Sequence, residues 1–224
     1  MTAGGQLDTG SPPRSGELPL LAIYADESCL GNGREGSNPG GAAGVIEYVH
    51  PESGNLGRWD YWVSEPATTN NRMALRSAIE GLRGISRKGA RFRVTFTSDS
   101  LYPVKGMREW VFSWMSRGWK KKDGPILNLE LWREAVEAAR PHPLDPKWVR
   151  GHDGHPQNEY ANFLATRAAR EQTSSNGIVT SGFDEWLASE REKGRMRIEP
   201  QAFPSSEGFR AIRPYPPSVK AFIE

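Results

Sequence analysis

Three things are scarce in this chain: cysteine, long apolar runs and net charge. Cys29 is the single cysteine of 224 residues, so no intramolecular disulfide exists and a reducing compartment fits. Nowhere do about eighteen apolar residues run together, which excludes a helical membrane span from the expectation. Met1 to Gly16 has no apolar stretch of the secretory kind. Together these lead us to expect a cytoplasmic, monomeric protein without a membrane partner. A net charge of +2 does not itself announce a polyanionic partner, so any such signal must be local.

Hydrophobic residues make up 37% of the chain and charged ones 25%, enough for one packed core with a polar excess at the ends. We divide it into a disordered lead over 1–17, a folded domain over 18–172, and a linker with a Pro/aromatic tail over 173–224. Phe203, Phe209, Tyr215 and Phe222 are spaced among prolines, which suits a strap across the domain, a partner-docking segment or disorder.

The apolar run Leu20 to Ala25 predicts a first strand ending at Asp26. Ala42 to Val49 and Arg58 to Ser64 predict a second and a third, with turn residues 51–55 between them. Short connections make these three an antiparallel meander. Thr68 or Thr69 supplies an N-cap for a helix to about Ser86, whose apolar stripe is Met73, Leu75, Ala78, Ile79, Leu82 and Ile85. A fourth strand, Phe92 to Thr97, ends at Asp99. Helices over about 101–116 and 128–139 follow, then a short fifth strand, Lys147-Trp148-Val149, and a last helix from Pro156. The fold class is therefore α/β, a mixed five-stranded sheet with helices on its faces.

Six segments, in this order, resemble bacterial ribonuclease HI: Tyr24 to Asn32, Thr68 to Met73, Thr97 to Ser100, Trp110 to Trp114 with Arg117 to Lys120, Asn128 to Trp132, and Val149 to Glu159. The resemblance implies a ribonuclease H-like fold and hydrolysis of the RNA strand of RNA–DNA hybrids with Mg2+, or Mn2+. Cutting a phosphodiester at neutral pH calls for divalent cations, a pair of them about 3.5–4 Å apart, held by hard oxygen ligands from different elements. Asp26 and Asp99, each at a strand end, supply two.

The sequence departs from the family at two expected acids. Ala74 stands where a helix glutamate follows Asn-Asn-Arg-Met, and Asn162 stands where an aspartate sits three residues after Glu159. Alanine binds nothing, whereas Asn162 keeps a carbonyl oxygen without charge. Glu27, in place of a glycine, ranks first as substitute ligand. Asp153, in the loop beside His152, ranks second. Glu80 lies on a different helix face from Ala74 and is discounted.

By the same resemblance, His152 is the loop histidine that moves a proton or releases product, a role apt for a side chain titrating near neutrality. His155 reads as a structural hydrogen-bonder at the helix start. Trp110, Trp119, Lys120, Lys121 and Lys122 resemble the basic protrusion that holds the DNA strand, with Trp114 and Trp132 expected inside. Asn32, Thr69, Asn70 and Asn71 resemble the groups that cradle a phosphate and read the minor groove, where 2′-hydroxyls distinguish RNA. The set of candidates thus comprises Asp26, Glu27, Asp99, His152 and Asn162 for catalysis and metal, beside these binding residues. The alternative is a catalytically inactive protein that binds RNA–DNA hybrid or double-stranded RNA.

Overall fold

The computed structural model describes residues 17–31, 38–151 and 153–217, so Asn32 and His152 lie outside the described residues. One mixed sheet runs through the molecule in the order β5-β4-β1-β2-β3-β6. Its strands are β1 Leu20–Cys29, β2 Gly40–Val49, β3 Leu56–Glu65, β4 Arg93–Ser98, β5 Leu144–Trp148 and β6 Val179–Thr180. β1, β2 and β3 form the expected antiparallel meander. β4 pairs parallel with β1, and β5 parallel with β4.

Helices α1 Asn70–Ile85, α2 Leu101–Lys105, α3 Val111–Met115 and α4 Leu129–Ala139 come between β3 and β5. α5 Pro156–Glu171 and α6 Phe183–Glu192 follow. Leu21, Ile23 and Ala25 of β1 pack in one apolar cluster with α1 and α4, while Ala22 and Tyr24 pack in another with α5 and α6. With both faces covered, β1 reads as a continuous apolar run rather than an alternating one.

The local rules account for the helices around the site. Thr69 Oγ1 accepts from the Arg72 backbone N–H at 3.4 Å and caps α1, whose expected stripe is buried. α2 and α3 join through a π-helical turn, Gly106–Trp110, into the single rod expected over 101–116. At Gly106 a Cβ would lie 1.8 Å from the buried Trp132 ring, so only glycine lets the rod pass this close.

Three details differ from the sequence expectation. β1 runs past Asp26 to Cys29 beside β2, and the fifth strand begins at Leu144 rather than Lys147. Pro146 is tolerated there because β5 is the outermost strand of the ladder. A sixth strand, β6, pairs Val179 with Asp60 and Thr180 with Trp59. The expected linker and tail, residues 173–217, lie against the domain, the strap among the courses suggested for the aromatic segment. Buried Asp60 accepts from Tyr160 Oη at 2.6 Å, Ser181 Oγ at 2.6 Å and the Gly182 N–H at 3.1 Å, which fixes the start of α6. Farther along, the Ile212 N–H donates to the Leu144 carbonyl at 2.8 Å, against β5. Buried Tyr215 stacks on Phe112 with ring centroids 5.0 Å apart and donates to the Met107 carbonyl at 2.9 Å.

Candidate active site

Strand register builds the centre. Parallel pairing of β1 with β4 ends at Ala25 opposite Ser98, so the next residues, Asp26 and Asp99, come level where the strands part. Crevices at the carboxyl ends of parallel strands are where open α/β sheets bind ligands. Carboxylate oxygens of Asp26, Glu27 and Asp99 all lie within 4.8 Å of one another. They open into a cleft of about 390 Å³ that Asn70, Ser100 and Asn162 also line.

Each acid is held differently. Asp26 is buried; its Oδ1 accepts from the Glu27 backbone N–H at 2.6 Å and its Oδ2 from Asn158 Nδ2 at 3.2 Å. Asp99 follows β4, and its backbone carbonyl accepts from Trp148 Nε1 at 2.8 Å. Gly151 presses on the Asp99 carboxylate so closely that a Cβ there would sit 2.3 Å from Oδ2. Glu27 hydrogen-bonds Ser100, yet its Oε2 is buried with no hydrogen-bond partner among the described residues. A buried carboxylate oxygen without a partner is costly unless a cation satisfies it.

Electrostatics point the same way. Burial, then the charge of Asp99, then that of Glu27, pushes the Asp26 carboxyl up to about 9. Burial and the charge of Asp99 push Glu27 up to about 8, against the opposing hydrogen bond from Ser100. Crowded in a low-dielectric cleft, Asp26 and Glu27 hold their protons until positive charge arrives. Hard oxygens, mutual repulsion and an orphaned Oε2 together fit a divalent cation.

The remaining candidates scatter around this centre. Asn162, on α5, lines the cleft, and its Oδ1 accepts from Thr166 Oγ1 at 3.1 Å. Ala74 is fully buried in the core. Glu80 pairs with Arg76 at 3.5 Å, and Asp153 is exposed. Thr69, Asn70 and Asn71 stand exposed at the α1 N-terminus beside the cleft. Lys120, Lys121 and Lys122 are exposed on the loop after α3. Trp132 is fully buried and Trp114 half-buried. Trp110 is also half-buried, its ring 5.8 Å from Tyr102, 6.0 Å from Trp114 and 6.3 Å from Trp132. Trp119 takes a left-handed φ of 61° and lies under the Arg133 guanidinium. Sequence reasoning did not single out Gly151, Asn158 or Trp148. All three act on Asp26 or Asp99 only through the fold.

A family model described as RNase H matches residues 19–170. The chain belongs to the RNase H family. Its curated relatives include a Ribonuclease H of Sulfurovum sp. (strain NBC37-1), 42% identical over 69% of this chain and 94% of that protein. A Ribonuclease H of Pelobacter propionicus is 41% identical over 67% of this chain and 85% of that one. Among solved structures, LC9-RNase H1 is 58% identical with a TM-score of 0.81, covering 89% of this chain and 94% of that chain. It is described as a type 1 RNase H with the type 2 active-site motif. That match also covers more than the family's residues 19–170 can supply, so the likeness extends beyond the family domain.

Proposed function

We propose that this RNase H family member is an endonuclease hydrolysing the RNA strand of RNA–DNA hybrids, with Asp26, Glu27 and Asp99 as its divalent-cation ligands and Asn162 as a neutral fourth group. One observation carries the reading: Glu27, adjacent in sequence to Asp26, brings its carboxylate to the same cleft as Asp26 and Asp99. The glutamate missing from α1 at Ala74 is thereby replaced from β1. Mg2+ suits the all-oxygen set, with Mn2+ an alternative of similar hardness. When bound, such a cation supplies Lewis acidity and neutralises charge developing on the phosphodiester.

The chain's own residues do the rest. Gly151 leaves room for Asp99, Asn158 orients Asp26 by donating to Oδ2, and burial keeps Asp26 and Glu27 protonated until the cleft is loaded. Asn70 and Asn71, with Thr69 and Asn32, are positioned in sequence to hold the hybrid beside the cleft, and His152 follows Gly151 as the candidate proton carrier. Lys120–Lys122 would neutralise DNA-strand phosphates and Trp119 would pack on a sugar or base, while Trp110 contributes more to the aromatic cluster under that loop. We take the enzyme to act as a cytoplasmic monomer; among the described residues no helix is long and apolar enough to cross a membrane.

Cleavage of an end-labelled hybrid in Mg2+ and in Mn2+ tests the reading. Cleavage that chelation and Asp26→Asn each abolish is expected. Hybrid binding without cleavage in either metal would instead make the protein the inactive binder.

A further inference from the structure

Beyond the family domain, one side chain reaches back to the catalytic end of the sheet. Residues 198–201 lie over the loop that joins β5 to α5. The Ile198 side chain covers Gly154, whose added Cβ would meet Ile198 Cδ1 at 2.7 Å. Gln157, fully buried, holds the Gln201 backbone at both polar atoms: its Nε2 donates to the Gln201 carbonyl at 2.9 Å, and its Oε1 accepts from the Gln201 N–H at 3.0 Å. The Gln201 side chain is left free to reach His155, with Oε1 2.6 Å from Nε2.

His155 is the N-cap of α5, its Nδ1 accepting from the Asn158 backbone N–H at 3.3 Å. A backbone N–H can only donate, so Nδ1 must be the unprotonated nitrogen. The neutral ring then carries its proton on Nε2, where Gln201 Oε1 accepts it. Asn158 in turn donates from Nδ2 to Asp26 Oδ2, and Asn162 lies one turn further along α5.

We infer that Gln201, outside the family domain, is a positioning residue for the active centre: it holds His155 in the Nε2–H tautomer that caps α5 and thereby sets Asn158 against Asp26. The inference rests on the proposed role of Asp26. Because the Gln157 clamp grips only backbone atoms of Gln201, Gln201→Ala removes the acceptor without detaching the segment. Two readouts on the full-length chain test it.

In metal-free protein, the imidazole ¹⁵N signals of His155 are expected to show the Nε2–H form in the parent and a mixture of tautomers in Gln201→Ala. In hybrid cleavage, kcat is expected to fall about fivefold, the range of one lost hydrogen bond, with KM unchanged. Gln201→Glu, which keeps an acceptor at the same reach, is expected to restore kcat. An unchanged His155 tautomer in Gln201→Ala overturns the proposal, as does an unchanged kcat in an enzyme that Asp26→Asn inactivates. The ring signals need no catalysis, so they decide the proposal even if the cleavage reading fails.

Discussion

Replacing Gly151 by alanine isolates the placement of Asp99 from the stability of the fold. The added methyl would lie 2.3 Å from Asp99 Oδ2 and 3.2 Å from its Cγ. Restoring ordinary van der Waals separation requires the carboxylate to retreat by roughly 1 Å. That retreat is cheap in stability, because the obstructing atom is the end of a rotatable side chain, and φ at Gly151 is not among the positive values. Alanine also restricts the unfolded chain, offsetting part of the cost, so unfolding free energy should change by less than about 1 kcal/mol. Function is another matter, since a misplacement of about 1 Å among reacting groups costs on the order of 100-fold. We expect kcat for hybrid cleavage to drop about 100-fold in Gly151→Ala while the melting temperature moves by a few degrees at most. A folded variant with parental kcat would refute the argument that Gly151 sets Asp99.

The metal-free protein should grow less stable as pH rises. Folded Asp26 and Glu27 keep protons to about 9 and about 8, well above their ordinary values, so the folded state binds more protons across that window and alkaline pH favours unfolding. Asp26→Asn should therefore exceed the parent in thermal stability at pH 8 in EDTA, by on the order of 2 kcal/mol, with the gap closing toward pH 4 and on adding Mg2+. A gap independent of pH would contradict this. Tyr215→Ala should cost about 3 kcal/mol in denaturant unfolding by removing the ring stacked on Phe112, yet leave cleavage at 25 °C intact. Alanine at Lys120, Lys121 and Lys122 together should raise KM and reduce the slope of log affinity against log salt by up to about 3, measured by hybrid titration at several salt concentrations.

The catalytic strand ends were legible because an apolar run that stops at an aspartate marks both a buried strand and its exit. That signal placed Asp99 just past the end of β4 and Asp26 just past the last residue of β1 that pairs with β4, although β1 itself runs on to Cys29 beside β2. Glu27 was harder. Strand alternation sends consecutive side chains to opposite faces, and only the end of β4 pairing after Ser98 frees the edge along which Glu27 reaches Asp99. Strand β6 escaped for a different reason: two residues pairing through backbone atoms leave no side-chain pattern in a Ser/Thr/Gly stretch. The course of residues 196–217 was equally hidden, since Gln201, Ile212 and Tyr215 are fixed by contacts with Gln157, Leu144 and Phe112, far away in sequence. Trp110 shows the limit of helical spacing, which groups it with Trp114 but cannot say that both lean on Trp132.

The proposed activity depends on Glu27 replacing the glutamate absent at Ala74. Measuring hybrid cleavage by Glu27→Gln in saturating Mg2+ tests it most directly, because the substitution keeps shape and removes only the charge. A loss of about a thousandfold in kcat is expected, with hybrid affinity retained. Parental turnover in Glu27→Gln would show that Asp26 and Asp99 work without it, and that Glu27 is not the replacement ligand.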